Sequence, residues 1–273
     1  SHYLVNQSGE VIETKTANRK YRVDNGKING SGFAVQVKKV RHSGKENIDC
    51  LVIETPSKLV GHHYFDGITE STFPIIYNSV VDSGLVNVSY DALLSSGIAT
   101  DMDIKRDSYF PSGLDFGKYC QQLKKQARPT TEIGKGCKAY NNANQGRGIQ
   151  FNTRNTSTIA SPFLKLYDKC RELHTKSLPF AQSNLKGHDI TGLVRVEATV
   201  KNRQQFQRVL KMSNNTLGSV LSLRSAELQK FITHAQRIHL DKVTATRQTN
   251  KEKLTGMKFG VYLFMCELLS TGM

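Results

Sequence analysis

Three short segments of the chain alternate charged and apolar residues with a period of two, and this pattern limits the fold more than any other feature. The segments are residues 100–105, 163–169 and 193–197. Successive side chains of a β-strand point to opposite faces of the sheet, so each segment is predicted to be a strand with one apolar and one polar face. Such strands are typical of an antiparallel sheet that packs a core on one side only.

The rest of the chain divides into a β-rich part and a helical part. Further strands are predicted within 20–55 and 190–200, and helical spacing of apolar residues predicts helices within 72–96 and 113–128. After residue 200 the strand patterns stop, and the predicted helices cover 202–213, 217–238 and 256–269. We therefore predict an α+β fold, with a central antiparallel sheet flanked by helices and a basic C-terminal helical region. The predicted division is a catalytic domain of residues 1–200 and a basic helical region of residues 201–273.

The chain carries a large excess of positive charge. Lys and Arg number 38 against 23 Asp and Glu, which gives a net charge of +15. Residues 201–273 alone hold 12 Lys and Arg against four Asp and Glu. An excess of this size indicates a polyanionic partner such as DNA or RNA. A basic surface that binds no partner is the alternative.

Several classes of protein are excluded by composition and by the absence of their patterns in the sequence. No apolar run approaches the ~18–20 residues of a membrane helix, and the first residues do not form a secretory signal. We therefore expect a cytoplasmic protein without a membrane partner. The five cysteines are widely spaced and form no C-x-x-C pair, which argues against a zinc ribbon and a disulfide scaffold.

Each alternating segment places its reactive side chains on one face of its strand. The sets are Asp101 and Asp103 in the first segment, Lys165, Tyr167 and Lys169 in the second, and Arg195 and Glu197 in the third. For any one strand taken alone, a polar face exposed to solvent is the favoured explanation of the pattern. The three sets form one site only if the three strands are neighbours.

Together, these residue types suit the transfer of a phosphodiester to tyrosine. Carboxylate oxygens are suitable ligands for Mg²⁺ or Mn²⁺, and Glu54 is a further candidate ligand beside Asp101, Asp103 and Glu197. A divalent ion polarises a phosphodiester oxygen, and a tyrosine hydroxyl can attack phosphorus to form a covalent intermediate. A lysine or arginine stabilises the negative charge that develops. Whether His62 or His63 joins the metal site stays open.

Five motifs in order resemble the gene II replication initiators of filamentous phages, and a Y-D-K … R-x-E pattern also resembles the initiators of staphylococcal rolling-circle plasmids. The most similar motif is G-L-V-R-V-E-A at 192–198, which is close to the family's G-L-V-R-F-E-A. The matching stretches are 56–65, 102–103, 164–173, 192–198 and 258–262. One departure is Asp101, which stands where the family has an arginine. Another is residues 151–154, which read F-N-T-R where the plasmid initiators have a Y-x-G-S-R element.

The resemblance implies a rolling-circle initiator that nicks one strand of origin DNA. It would keep the 5′ phosphate on a tyrosine, leave a 3′-OH primer and later rejoin the displaced strand. The family's nucleophile corresponds to Tyr167, and the lysine of the same element corresponds to Lys169. Single-stranded or supercoiled origin DNA is the expected substrate, and a host helicase is a candidate partner.

Two other functions remain as alternatives. A non-catalytic nucleic-acid-binding protein would explain the charge but not the acidic residues, because carboxylates on a polyanion-binding face repel the ligand. A metal-dependent nuclease without a covalent intermediate would use the acidic residues but not Tyr167. Arg195 joins Tyr167 and Lys169 as a candidate catalytic residue, and the candidate DNA contacts are His62, Lys135, Lys138, Arg147, Arg154 and Lys165.

Overall fold

The computed structural model of the chain describes residues 2–5, 11–15, 20–25, 31–41, 47–126, 137–142, 146–201 and 203–248. These residues form two five-stranded sheets with helices. The fold is the predicted α+β type, in which helices flank an antiparallel sheet. The predicted helix at 256–269 lies outside the described residues.

The first sheet is built from the N-terminal part of the chain. Its strand order is β2-β1-β3-β4-β5, with β1 parallel to β3 and the other pairs antiparallel. The strands are β1 (His2–Val5), β2 (Val11–Lys15), β3 (Lys20–Asn25), β4 (Ser31–Arg41) and β5 (Asn47–Glu54). The strands predicted within 20–55 correspond to β3, β4 and β5.

The second sheet is antiparallel throughout and holds all three alternating segments. Its strand order is β6-β10-β9-β8-β7. The strands are β6 (Met102–Tyr109), β7 (Lys138–Asn142), β8 (Gly146–Phe151), β9 (Phe163–Asp168) and β10 (Leu193–Val200). The strand predicted over residues 100–105 begins only at Met102. The residue before this segment is held elsewhere, because the Ala99 amide donates to the Asn215 carbonyl oxygen.

Helices lie before, between and after these strands. They are α1 (Phe73–Val81), α2 (Tyr90–Ser96), α3 (Phe116–Gln126), α4 (Lys169–Lys176), α5 (Leu178–Asn184), α6 (Arg203–Arg208), α7 (Leu217–Leu221) and α8 (Ser225–Gln248). One apolar core is formed by α3, α8 and one face of the second sheet, where Ile104, Leu166 and Val196 meet Leu123 and Phe231. Burial of this face leaves the opposite face of the same strands for polar residues.

The chain divides into two compact units. One contains residues 1–96 and 176–188, and the other contains residues 97–175 and 189–273. The helices α6 to α8 thus belong to the unit of the second sheet, whereas the sequence placed a boundary after residue 200. The reason is the apolar side of α8, which completes the core of that sheet through Phe231 and Ile232. Among the described residues, no helix combines the length and apolar character needed to cross a membrane.

Candidate active site

The three alternating segments lie side by side in the second sheet. Strand β10 is in the middle, paired with β6 on one side and with β9 on the other. In this register Arg195 is opposite Tyr167 on β9 and Asp107 on β6. Glu197 is opposite Lys165 and Lys105 in the same way. The condition for a single site is therefore met, and the polar sets share one face of the sheet.

The centre of this face is a hydrogen bond between a tyrosine and a glutamate. The Tyr167 hydroxyl donates to Glu197 Oε1 over 2.6 Å. Tyr167 is only 5% exposed, whereas Glu197 is half-buried. A carboxylate at this distance can take the phenolic proton when the tyrosine oxygen attacks an electrophile.

Three basic side chains surround the tyrosine. Lys165 Nζ lies 3.9 Å from the centroid of the Tyr167 ring, and Lys169 Nζ lies 5.5 Å from it. Arg195 is held by Asp107 through two hydrogen bonds of 2.6 and 2.8 Å. Lys169 is paired with Glu172, the fourth residue of α4. Arg195 and Lys169 are thus positioned by acidic neighbours.

Burial is the main influence on the pKa values of Tyr167 and Lys169. It raises the pKa of the Tyr167 hydroxyl strongly, the negative charge of Glu197 raises it further, and Arg195 opposes the shift. Burial also lowers the pKa of the Lys169 ammonium, with a contribution from Arg195, while Glu172 acts against the shift. Tyr167 is therefore a protonated hydroxyl at neutral pH, and its proton has to leave during any reaction in which its oxygen attacks.

A second cluster lies at the start of β6, around the two aspartates. Arg154 bridges them, donating from Nη1 to Asp103 Oδ2 and from Nη2 to Asp101 Oδ1, each over 2.8 Å. Lys201 Nζ donates to Asp101 Oδ2 over 2.9 Å, and Thr199 Oγ1 donates to Asp103 Oδ1 over 2.5 Å. All four carboxylate oxygens therefore have a donor, and the two negative charges are balanced by two positive ones.

The loop that carries Arg154 is fixed by its own polar side chains. Asn152 adopts a left-handed conformation with φ of 63°, and its side-chain amide donates to the carbonyl oxygens of Thr156 and Ser161. Ser157 Oγ donates to the Thr199 carbonyl oxygen and accepts from the Phe163 amide. These bonds join the loop to β9 and β10, which sets where Arg154 can reach.

The charges in this cluster shift the pKa values of Asp101 and Arg154. Burial raises the pKa of the Asp101 carboxyl, but hydrogen bonds from Arg154 and Lys201 outweigh it and the net shift is downward. Burial likewise lowers the pKa of Arg154, and the two aspartates more than reverse that effect. Asp101 and Arg154 are thus both ionised at neutral pH.

The carboxylates predicted to bind Mg²⁺ or Mn²⁺ already accept hydrogen bonds from other side chains in this structure. Asp101 and Asp103 are engaged by Arg154, Lys201 and Thr199, and Glu197 accepts from Tyr167. Among the described residues, no group of three or more His, Cys, Asp and Glu side chains could hold a metal ion. The carboxylates as they stand therefore do not fit a divalent ion, and the metal role remains a prediction from the sequence.

The other candidate residues occupy varied positions. Lys138 lies on the same face of the sheet as Tyr167. It is opposite Gln150 on β8, and Gln150 is opposite Lys165 on β9. Arg147 has the opposite orientation on β8, on the side that faces α3. Lys135 lies outside the described residues.

Two more candidates belong to the other compact unit. Glu54 ends β5 and is exposed. His62 is exposed in the 3₁₀ segment Ser57–His63, where its neighbour His63 contacts Asp66 through Nδ1 and Oδ2 at 3.0 Å.

Three residues that hold the predicted charged side chains in place were not themselves predicted. Thr199 and Lys201 bind the aspartates, and Asp107 orients Arg195. The signal for the first two was present, since the alternation of Arg195 and Glu197 continues with Thr199 and Lys201. Asp107 likewise continues the alternation that starts at Asp101 and Asp103 on the neighbouring segment.

Comparisons of the chain with protein-family models, with curated proteins and with solved structures found no match. Support for a function therefore comes from the chemistry of the described residues and from the short motifs noted in the sequence. The motifs at 102–103, 164–173 and 192–198 include the same side chains on β6, β9 and β10.

Proposed function

We propose that this protein nicks and rejoins DNA strands through a covalent bond between Tyr167 and the 5′ phosphate. The observation that carries the proposal is the Tyr167–Glu197 hydrogen bond of 2.6 Å, placed among basic side chains on one face of the sheet. A buried tyrosine paired with a carboxylate supplies a nucleophile and a proton acceptor in contact.

The reaction follows from these two groups. Tyr167 Oη attacks the phosphorus of a phosphodiester while its proton passes to Glu197. The bond from phosphorus to the 3′ oxygen breaks, and that oxygen takes a proton from solvent and leaves as a 3′-OH. One phosphodiester is exchanged for another, so the bond energy is kept in the phosphotyrosine. A 3′-OH can reverse the step and rejoin the strand, with Glu197 returning the proton to Tyr167.

The basic side chains stabilise the charge that this reaction develops. Lys165 lies over the Tyr167 ring, where an ammonium group is attracted to the π-electrons and favours negative charge on the phenolic oxygen. Lys169 and Arg195 add positive charge near the same ring. Negative charge also develops on the oxygens of a phosphoryl group under attack, and cations fixed in advance stabilise it without reorganising.

The substrate and partners of this reaction follow from the motif resemblance and the charge. The resemblance to rolling-circle initiators makes origin DNA, single-stranded or supercoiled, the proposed substrate. The net charge of +15 favours a polyanion of this kind. The carboxylates as they stand do not fit a divalent ion, so a requirement for Mg²⁺ or Mn²⁺ stays a prediction from the sequence and is tested directly below. A host helicase remains a predicted partner.

The experiment is a gel assay for a covalent adduct with labelled single-stranded DNA. Wild type is compared with Tyr167→Phe in Mg²⁺, in Mn²⁺ and in EDTA. We expect a protein–DNA adduct that survives denaturation in wild type and is absent from the variant, because only the attacking oxygen is removed. DNA binding by the variant should stay close to that of wild type.

The matched control is Tyr109→Phe. Tyr109 is exposed on β6, and its hydroxyl donates to the Asp189 carbonyl oxygen over 2.8 Å, so this variant removes a tyrosine oxygen away from Glu197. It should form the adduct as wild type does. An adduct in Tyr167→Phe would refute the assignment of the nucleophile. Cleavage without any adduct would indicate a hydrolytic nuclease, and binding without cleavage would indicate a non-catalytic module.

A further inference from the structure

A second tyrosine lies in the same cross-strand row as Tyr167. Tyr140 on β7 is opposite Gly148 on β8, and Gly148 is opposite Tyr167 on β9. Residues directly opposite one another in paired strands share a face of the sheet. Tyr140 and Tyr167 are therefore on the same face, separated by a residue without a side chain.

Gly148 leaves the space that the Tyr140 ring occupies. A Cβ atom at Gly148 would lie 2.5 Å from Tyr140 Oη and 2.7 Å from its Cζ. The hydroxyl of Tyr140 therefore reaches over β8, the strand that separates β7 from β9. The hydroxyl thus lies over the strand next to β9, which carries Tyr167, and does not extend into solvent beside β7.

This hydroxyl is buried, and it has no hydrogen-bond partner among the described residues. Leaving a buried polar group without a partner costs roughly 1–3 kcal/mol. A phenylalanine would fill the same space without that cost, so packing does not explain the oxygen. A hydroxyl held in such a position is suited to a partner that is bound only during the reaction.

The protonation state of the Tyr140 hydroxyl defines the kind of partner. Burial raises the pKa of its hydroxyl, and Cys120, Glu197 and Glu172 raise it further. The group therefore keeps its proton at neutral pH and is available as a donor. Glu197 Oε1 already accepts from Tyr167. A phosphate group attacked by Tyr167 would bring anionic acceptor oxygens to the same face.

We propose that Tyr140 is a catalytic residue whose hydroxyl donates a hydrogen bond to a non-bridging oxygen of the phosphate attacked by Tyr167. This inference rests on the proposed function of Tyr167. It adds a neutral donor to the cations Lys165 and Lys169, and it assigns a role to the glycine that lies between the two tyrosines.

The test is Tyr140→Phe, which removes only the oxygen. The rate of adduct formation with single-stranded DNA should fall by roughly a hundredfold to a thousandfold, the scale of losing one donor to a developing oxyanion. The temperature of unfolding should be unchanged or higher, because a buried oxygen without a partner is removed. A purely structural hydroxyl would lower rate and stability together. Tyr109→Phe serves again as the control and should change neither.

Binding of tungstate, a tetrahedral oxyanion, separates this inference from the proposed function. Calorimetry should show weaker tungstate binding by Tyr140→Phe than by wild type. If wild type formed no adduct with DNA, the proposed function would fail and the catalytic role of Tyr140 with it, whereas weaker tungstate binding by Tyr140→Phe would still show that Tyr140 contacts a bound oxyanion. Equal tungstate affinity, an unchanged adduct rate, or a rate that falls only with stability would each overturn the inference.

Discussion

Tyr167 and Glu197 illustrate how one carboxylate acts in two ways on a buried tyrosine. In the resting protein, burial and the charge of Glu197 raise the pKa of the Tyr167 hydroxyl, so no tyrosinate exists near neutral pH. In the proposed reaction, the same carboxylate accepts the proton as the oxygen attacks. Nucleophilicity would then arise only when a phosphate is in place, with Lys165 over the ring to stabilise the developing charge.

Asp101 is expected to stabilise the protein in a pH-dependent way. Its folded-state pKa is lowered, because Arg154 and Lys201 outweigh the opposing effect of burial. A lowered pKa contributes stability above the unfolded value, near pH ~4, and that stability is lost as the pH falls through the folded value. Asp101→Asn should therefore be less stable than wild type at neutral pH, by about 0.5–1 kcal/mol for a partly exposed ion pair.

Urea unfolding of both proteins near pH ~7 and near pH ~3 measures this effect. The difference in stability should be present at the higher pH and should shrink at the lower one, where the wild-type carboxyl becomes protonated. Glu70→Gln, which neutralises an exposed carboxylate of the other compact unit, is the control. A stability difference for Asp101→Asn that is the same at both pH values would contradict the ion-pair explanation.

At the scale of the strands, the sequence predicts faces but not register. The alternation of Arg195 and Glu197 with valines indicates that both side chains share a face, and the structure confirms this arrangement. Pairing Tyr167 with Glu197 depends on how β9 is aligned with β10, and a slip of one residue would move every side chain to the other face. That alignment is set by the buried core, which no local pattern describes.

Contacts made by loops and by the ends of strands are also set by the folded chain and not by a local pattern. Arg154 was a candidate DNA contact, yet it bridges Asp101 and Asp103. Those two aspartates were predicted to share a strand face, and Asp101 lies just before β6 begins at Met102. The contact between Arg154 and the aspartates spans about 50 residues of sequence, so only the folded chain brings them together.

Strand β8 can be tested through its central glycine. A Cβ atom at Gly148 would meet Tyr140 Oη at 2.5 Å and the Leu166 carbonyl oxygen at 2.6 Å. Gly148→Ala should therefore lower stability by about 1–3 kcal/mol, the usual cost of forcing extra atoms into a packed site. Chemical denaturation of the variant and of wild type measures this loss.

A double-mutant cycle separates the contributions of Tyr140 and the Leu166 carbonyl oxygen to the stability lost in Gly148→Ala. In a Tyr140→Ala background the ring is gone and only the contact with the Leu166 carbonyl oxygen remains, so Gly148→Ala should cost less there than in wild type. An equal cost in both backgrounds would show that the ring does not occupy the space over Gly148. The role inferred for Tyr140 would then lose its geometric basis.

Across the whole molecule, net charge and local charge have different consequences. The clusters around Asp101 and Asp107 are locally balanced, because each carboxylate there is paired with Arg154, Lys201, Arg195 or Lys105. The excess of +15 must therefore act through other basic residues when the protein meets a polyanion. Lys138 is one such residue, since it is exposed and lies on the same face as Tyr167.

The salt dependence of DNA binding tests this distribution. Each phosphate that a single strand contacts should add about 0.7 to the slope of the logarithm of affinity against the logarithm of salt concentration. Lys138→Gln should weaken binding and reduce that slope by about one contact. Lys230→Gln removes the same charge from the exposed side of α8, a helix that covers the opposite face of the sheet, and should leave the slope unchanged. Equal slopes for the two variants would mean that DNA binding depends on net charge alone and not on the position of Lys138. An affinity that does not change with salt would contradict polyanion binding altogether.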